Sequence, residues 1–309
     1  MADSWELRSN IKGADGATGE QGLTGSVSSA SWLDLSEQPA LPTAPQAGVL
    51  RTFAGVIATR LMLGMRGPSG LHTLLQPALF QNHLWLVSPN QTTSVMAIGN
   101  AVVSVGTLSH PAPSAALGWM TNFLTAATAG ATAGTGNRDL IWRRGNGTGV
   151  GGFFFVARLA LPDASYNEAG AGTGSRLFVG LTNQTLAASV AADNPAGHFC
   201  GFLRRSVNGG AIDANWQFAL KDNTTLALHN TALPFAPGVP VDFCIFCPPH
   251  GTTIHWAVAD LLSGQSDEGS ADANLPGATT LMRAGFQLAT VNNVARNIRM
   301  QRLYGESDR

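Results

Sequence analysis

Short apolar runs separated by Gly, Pro, Asn and Asp clusters recur along the second half of the chain, and this pattern constrains the fold most strongly. Most runs have the length of a β-strand. In the run 253–259, Ile254, Trp256 and Val258 alternate with other residues, as in a strand with one face in a core. The pattern predicts an all-β fold whose C-terminal part is a β-sandwich of jelly-roll type. The predicted strands are 140–144, 152–161, 176–181, 198–204, 216–220, 225–229, 241–247, 253–259, 281–288 and 297–304.

The composition agrees with a fold built from strands and turns. The chain has 36 Gly and 16 Pro, only 12% of its residues are charged, and Lys12 and Lys221 are its only lysines. Long surface helices normally carry Glu and Lys on the solvent face, so this composition does not favour them. A net charge of −1 gives no basic field for phosphate backbones, and we expect no nucleic-acid partner.

The sequence also gives an expectation about membranes and export. No stretch approaches the 18 or so apolar residues of a membrane-spanning helix, so we expect no membrane insertion. Residues 1–8 lack the positive end and apolar run of a signal peptide. The expectation is therefore assembly in the cytoplasm.

Glycine occupies every third position from residue 13 to residue 25. The positions are Gly13, Gly16, Gly19, Gly22 and Gly25. This is the register of a collagen triple helix, in which only glycine fits at the axis shared by three chains. The run contains no proline, so a neighbouring trimeric domain must supply most of the stability. We predict a homotrimer with residues 13–25 as a collagen-like segment, and a flexible glycine-rich linker is the alternative.

Residues 26–137 predict a thin, β-rich middle region or shaft. Short strands are expected at 83–87, 94–98 and 101–105, and a slender module could share its core across three chains. Residues 125–137 are nearly all small and predict a linker or a long surface loop. Whether 26–137 is an independent domain stays open. Residues 138–309 are predicted to form the C-terminal sandwich.

The cysteines and the acidic run 266–272 contain residue types that bind metals. Cys244 and Cys247 with His250, joined by Cys200 or His198, have suitable zinc donors but not the usual paired spacing. Buried cysteines that act as small hydrophobic residues are the favoured interpretation. Residues 266–272 offer oxygen ligands for calcium but lack the EF-hand order, which favours a solvated loop. We predict neither metal nor cofactor.

No motif of nucleophilic, metal-dependent or phosphate chemistry occurs in the sequence, and we predict that the protein is not an enzyme. The alternative is a depolymerase that cleaves polysaccharide between two carboxylates. Such a pair would have to come from aspartates that are far apart in sequence. The candidates are Asp213, Asp222, Asp242 and Asp260.

Three residues are predicted to contact a glycan. Sugar rings stack on aromatic side chains, and their hydroxyls need amide and carboxylate partners. Trp216 has Asp222 nearby in sequence, and Asn183 lies in a predicted loop. The alternative for Trp216 is a role as a core residue of the sandwich.

The order of these motifs resembles the tail-fibre and receptor-binding proteins of tailed bacteriophages that infect Gram-negative bacteria. The resemblance covers most of residues 45–306 and no single motif is diagnostic. It rests on the collagen-like run, Gly70–Pro77, Gly106–Thr107, Gly151–Arg158, Arg176–Leu181, Trp216 with Asp222, and Asn297–Tyr304.

The resemblance implies a homotrimeric structural protein of the virion tail. Residues 1–12 would attach it to a tail or baseplate protein, and residues 138–309 would form a lectin-like, receptor-binding knob. The partner at the cell would be a host surface glycan or outer-membrane receptor. The short N-terminal region departs from the long shafts of many fibres, and a purely structural head or collar fibre is the other alternative.

Overall fold

The computed structural model describes residues 35–38, 40–69, 72–75, 83–90, 95–113, 118–147, 151–161, 174–186, 190–206 and 213–307. These residues form strands and turns without a helix, which confirms the all-β prediction. Consequently, the described part of the chain has no helix suited to crossing a membrane. The collagen-like run Gly13–Gly25 lies outside the described residues, so the triple helix stays a prediction.

The first three strands form a small sheet of their own in the order β1-β2-β3. They are β1 Arg51–Ile57, β2 Arg60–Arg66 and β3 His72–Leu75. The chain divides into two compact units, one of residues 1–55 with 63–74 and one of residues 56–62 with 75–309. In the first unit, Arg51 donates hydrogen bonds to the carbonyl (2.8 Å) and the hydroxyl (3.0 Å) of Thr43.

The second unit contains two large antiparallel sheets. The nine-stranded sheet has the order β17-β16-β15-β10-β19-β4-β5, with β8 paired to both β19 and β7. Its strands are β4 His83–Pro89, β5 Val95–Ile98, β7 Thr107–Ser109, β8 Thr121–Leu124, β10 Phe153–Ala160, β15 Pro240–Cys247, β16 Ile254–Asp260, β17 Ser266–Ala271 and β19 Asn297–Ser307.

The seven-stranded sheet has the order β14-β13-β12-β11-β18-β9-β6. Its strands are β6 Val102–Val105, β9 Thr132–Asn137, β11 Ser175–Thr182, β12 His198–Arg204, β13 Asn215–Asp222, β14 Leu226–Pro234 and β18 Arg283–Thr290.

Aromatic residues from both sheets pack together and make these sheets a β-sandwich, as predicted. Phe243 of the nine-stranded sheet lies 4.7 Å from Trp216 and 5.1 Å from Phe202 of the seven-stranded sheet, between ring centroids. Trp256 of the nine-stranded sheet likewise packs against the seven-stranded sheet, with its ring centroid 5.5 Å from that of Phe218. Burial of such large side chains supplies most of the favourable free energy of folding.

The linker predicted at residues 125–137 is wrong for its second half. Residues 132–137 form β9, an inner strand paired with β18 on one side and β6 on the other, and Ala133 is fully buried. A Cβ on Gly134 would lie 2.2 Å from the Phe286 carbonyl oxygen, so the small residues serve close strand packing. Because β4–β9 all pair within the two sheets, the sandwich also begins well before residue 138.

Two further expectations need correction. The acidic run predicted as a solvated loop contains β17, which pairs with β16 at the edge of the nine-stranded sheet and leaves alternate side chains exposed. A polar sequence is tolerated in β17 because an edge strand needs only one bonded neighbour. The strand predicted at 140–144 is reduced to one isolated bridge, Trp142 to Met282.

Glycines from four adjacent strands line up in one cross-strand row of the seven-stranded sheet. Gly180 pairs with Gly201 and Gly285, and Gly285 pairs with Gly136. A Cβ on Gly201 would lie 2.4 Å from the Val179 carbonyl oxygen and 2.9 Å from the Gly180 Cα. The backbones therefore approach too closely along this row for any side chain.

We predict that Gly201→Ala lowers the free energy of unfolding by about 2 kcal/mol, because the added methyl group overpacks the sheet. Denaturant unfolding followed by fluorescence measures the change. Gly67→Ala is the control, since no atom lies within 4 Å of its Cβ position, and it should change stability by less than about 0.5 kcal/mol. Equal stability of the two variants would contradict the close approach of the strands.

Candidate functional site

Trp216 does not form part of a surface site. Its side chain is 3% exposed, and its ring packs against Phe243 and Phe235. A sugar ring has no access to either face of the indole. The glycan contact predicted for Trp216 is therefore wrong, and the alternative of a core residue is correct.

The other two predicted residues lie on either side of a histidine in one cross-strand row. His198, the first residue of β12, pairs with Asp222 at the end of β13. On its other side, the Asn183 N–H donates to the His198 carbonyl (3.2 Å), immediately after β11 ends. Neighbouring strands lie about 4.8 Å apart, so Asn183 and Asp222 are separated by about 10 Å. We call Asn183, His198 and Asp222 the end site.

The end site lies directly above the last apolar layer of the core. Leu181, Cys200 and Leu220 form the next row inward, and all three are fully buried. Residues two apart on a strand share a face. The His198 and Asp222 side chains are therefore on the core-facing side of the sheet, at the point where the sandwich ends, and Asn183 lies beside them immediately after β11.

Asn183 is held by the backbone of the strand beside it. Its Oδ1 accepts hydrogen bonds from the His198 N–H (2.9 Å) and from Gln184 Nε2 (3.1 Å). Gly197 passes so close that a Cβ there would lie 2.2 Å from Asn183 Oδ1. These contacts occupy the oxygen and leave the Nδ2 group of Asn183 as a hydrogen-bond donor.

Asp222 closes the tight turn between β13 and β14. Its Oδ1 accepts hydrogen bonds from the Thr224 N–H (2.9 Å), the Thr224 hydroxyl (2.8 Å) and the Thr225 N–H (2.8 Å). These bonds, led by the one from Thr225, lower the pKa of Asp222 to about 2. The carboxylate is therefore charged at neutral pH, and Oδ2 accepts none of these bonds.

His198 is oriented by the loop that precedes β18. The Gly277 N–H donates to His198 Nδ1 at 3.3 Å. Accepting this bond requires the lone pair on Nδ1, which places the proton of the neutral ring on Nε2. That loop is itself fixed by Arg144, whose Nε donates to the Pro276 carbonyl at 2.7 Å.

The three residues thus present two donors and one acceptor at the spacing of adjacent strands. The donors are the Asn183 amide and His198 Nε2–H, and the acceptor is Asp222 Oδ2. A sugar hydroxyl donates one hydrogen bond and accepts others, so neighbouring hydroxyls can pair with such an alternation. The sequence pattern pointed to Asn183 and Asp222 but missed His198, whose role depends on a cross-strand pairing.

Residues 190–195, which precede β12, are held against the outer face of the seven-stranded sheet. Gln287 Oε1 accepts hydrogen bonds from the backbone N–H groups of Val190 (2.7 Å) and Ala191 (2.9 Å). The buried Lys221 donates from Nζ to Asn194 Oδ1 and to the Pro195 carbonyl, both at 2.7 Å. These contacts position the chain that leads into His198.

Cys244 and Cys247 do not face one another as ligands of one zinc ion would. Cys247 faces the core together with Ile245, whereas Cys244 lies on the opposite face of β15. Burial raises the pKa of Cys244 and of Cys247 to about 12, so both thiols are protonated. No cluster of three or more His, Cys, Asp or Glu side chains suited to a metal occurs among the described residues.

Several carboxylates that could serve hydrolysis are paired with arginine instead. Glu306 is buried and accepts hydrogen bonds from Arg60 (2.6 Å) and from the Tyr304 hydroxyl (2.5 Å). Burial and the Glu306 carboxylate raise the pKa of Tyr304. Among the described residues, other carboxylates paired in this way include Asp242 with Arg158, Asp193 with Arg176, and Asp213 with Arg205.

Comparison with known proteins gives similarity in structure only. No protein-family model matches the chain, and no curated protein sequence matches it. A crystal structure of a protein of unknown function from Shewanella oneidensis MR-1 has a TM-score of 0.52 at 12% identity, covering 76% of this chain and 90% of that chain. This similarity supports the β-sandwich fold.

Two other solved structures match less closely. Peanut lectin in complex with a nine-residue peptide has a TM-score of 0.48 at 11% identity, over 73% of this chain and 97% of that chain. The CBM2 module of the evolved Dit protein of Lactobacillus casei BL23 phage J-1 has a TM-score of 0.43 at 15% identity, over 73% of this chain and 96% of that chain.

The turn at Asp222 gives a testable pKa. We expect NMR titration to find the Asp222 pKa at about 2, and Thr224→Val to raise it, because that change removes the hydroxyl donor. The folded-state pKa lies below the unfolded value of about 3.9, so the contribution of this group to stability is present above that pH and lost as the pH falls towards 2.

The exposed Thr279→Val is the control for this titration and should leave the Asp222 pKa unchanged. An Asp222 pKa near its ordinary value in the unaltered chain would contradict the turn geometry.

Proposed function

We propose that this chain is a subunit of a homotrimeric bacteriophage tail fibre or spike that attaches the particle to a glycan on the host surface. The observation that supports glycan attachment most directly is the end site. Asn183, His198 and Asp222 are preorganised by backbone contacts, so little side-chain entropy is lost when a ligand binds.

The small number of polar groups at the end site favours weak binding by each copy. Three polar side chains in one row contact only one edge of a saccharide, and the row contains no tryptophan, tyrosine or phenylalanine to stack on the sugar ring. Three copies held in one trimer would raise the effective concentration of sites and convert weak contacts into stable attachment. The glycine register at residues 13–25 supports the trimer in this proposal.

The remaining parts of the proposal concern the particle. Residues 1–12 attach the subunit to a tail or baseplate protein, and the subunit is assembled in the host cytoplasm. The chain acts by binding and not as an enzyme. The pairing of Asp213, Asp242 and Glu306 with arginines supports this, because a glycosidase needs two carboxylates free to act on the sugar.

We predict that Asp222→Asn weakens binding of neutral bacterial polysaccharides to the intact chain by about tenfold. The asparagine keeps an oxygen for the turn but replaces the accepting Oδ2 with a donor, so one hydrogen bond to the sugar is lost. A glycan array identifies the ligands, and calorimetry on the ligands that bind measures the affinity.

Asp260→Asn is the matched control for this change. Asp260 also caps a turn through Oδ1, which accepts hydrogen bonds from the Leu262 N–H (2.7 Å) and the Ser263 N–H (3.0 Å), but it lies at the opposite end of the strands. The control should bind like the unaltered chain. Equal loss in both variants, or loss in neither, would reject the end site as the place of attachment.

A further inference from the structure

The edge strands β5 and β6 lie next to each other in sequence and carry no charged side chain. β5 ends the nine-stranded sheet, β6 ends the seven-stranded sheet, and only residues 99–101 separate them. The chain contains no Asp, Glu, Lys or Arg between Arg66 and Arg138, although 12% of all its residues are charged. Both strands therefore lack the charges that usually keep the edge of a sheet from pairing with another chain.

The opposite side of the sandwich differs in charge and is joined by a hydrogen bond. There β17 ends the nine-stranded sheet and β14 ends the seven-stranded sheet. β17 carries Asp267 and Glu268. Asp267 Oδ2 accepts a hydrogen bond from the Ala232 N–H of β14 at 2.6 Å. That side thus has the charges typical of an edge that stays in water.

Met96 and Ile98 of β5 lie on the outer face of the nine-stranded sheet. They pair with Ser88 and Leu86 of β4, whereas Val87 between those two residues is fully buried in the core. Residues directly opposite in a ladder have their side chains on the same face. Met96 and Ile98 are each 50% exposed. Two large apolar side chains therefore project from an uncharged edge.

The apolar surface continues from β5 across the outer face of the sheet. One cross-strand row consists of Ile98, Leu86, Tyr304, Val156 and Cys244. Within this row the side chain at the edge is exposed, the next three are partly buried, and the cysteine is buried. The most exposed apolar side chains of this face are therefore those of β5.

An uncharged edge suits contact with a second copy of this chain better than contact with a different protein. Residues near a rotation axis of a symmetric oligomer meet their own copies. A charged residue there would face the same charge, which opposes association. A different protein could match a charged edge with opposite charges, so it would not require an uncharged one. The Gly13–Gly25 register independently predicts two further copies.

We propose that β5 and β6 form the contact surface between subunits of the trimer, with Met96 and Ile98 packed against their counterparts around the three-fold axis. This inference rests on the homotrimer of the proposed function and assigns a surface to it. Association would remove three copies of each side chain from water, which favours the trimer. The neighbouring trimeric domain that the proline-free glycine run requires is then the sandwich itself.

The test measures the mass of Ile98→Asp, made in the intact chain, by sedimentation velocity. We expect the mass to fall from about three subunits to one, because three carboxylates would meet at the axis. The circular dichroism spectrum should be unchanged, since the side chain of Ile98 is half exposed within one subunit. Leu262→Asp is the matched control and should stay trimeric. Leu262 is 56% exposed but lies in the turn that leads to β17, on the opposite side.

Chemical cross-linking locates the contact without disrupting it. Ile98→Cys places a thiol at the proposed axis, where a short bis-maleimide should join two subunits and give a dimer in denaturing electrophoresis. The native cysteines Cys200, Cys244 and Cys247 are buried and should not react. Leu262→Cys is the control and should give monomers only.

The outcomes separate this surface from the trimer itself. A trimeric mass for Ile98→Asp, together with no linked dimer from Ile98→Cys, would overturn the β5–β6 surface and leave the trimer of the proposed function in place. A monomeric mass for the unaltered chain would reject that trimer and this inference with it.

Discussion

The aromatic contact between the two large sheets is the interaction on which the rest of the structure depends. Phe243 touches both Trp216 and Phe202, and Trp256 stacks on Phe218. These rings set the distance between the sheets and fix which strand faces point inward. Every polar group at the end of the seven-stranded sheet takes its position from that arrangement, since the row above Leu181, Cys200 and Leu220 is the first row beyond the core.

Much of the sandwich could be predicted from the sequence because its strands are marked by apolar runs between turns. The runs at 198–204, 241–247 and 297–304 correspond closely to β12, β15 and β19. β9 and β17, which the sequence does not predict, have no such apolar run. β9 consists mainly of small residues whose value lies in close backbone approach, and β17 is a polar edge strand. Neither property is visible without the neighbouring strand.

The candidate sites could be predicted only in part, for a related reason. The sequence marks Asn183 and Asp222 as polar turn residues. That both lie next to His198 depends on how three strands pair, which the sequence does not show. Trp216 has polar and acidic neighbours in sequence, as a sugar-binding residue would. In β13, however, its side chain is on the face that packs into the core.

The end site offers only three polar side chains to a saccharide, so the account requires several copies to act together. Its central claim is that the chain attaches to glycans as a trimer, with weak sites combined by avidity. Static light scattering of the intact, purified chain tests this claim most directly. The account predicts a mass of about three subunits. A monomer across the concentrations used would contradict it, and residues 13–25 would then be better described as a linker.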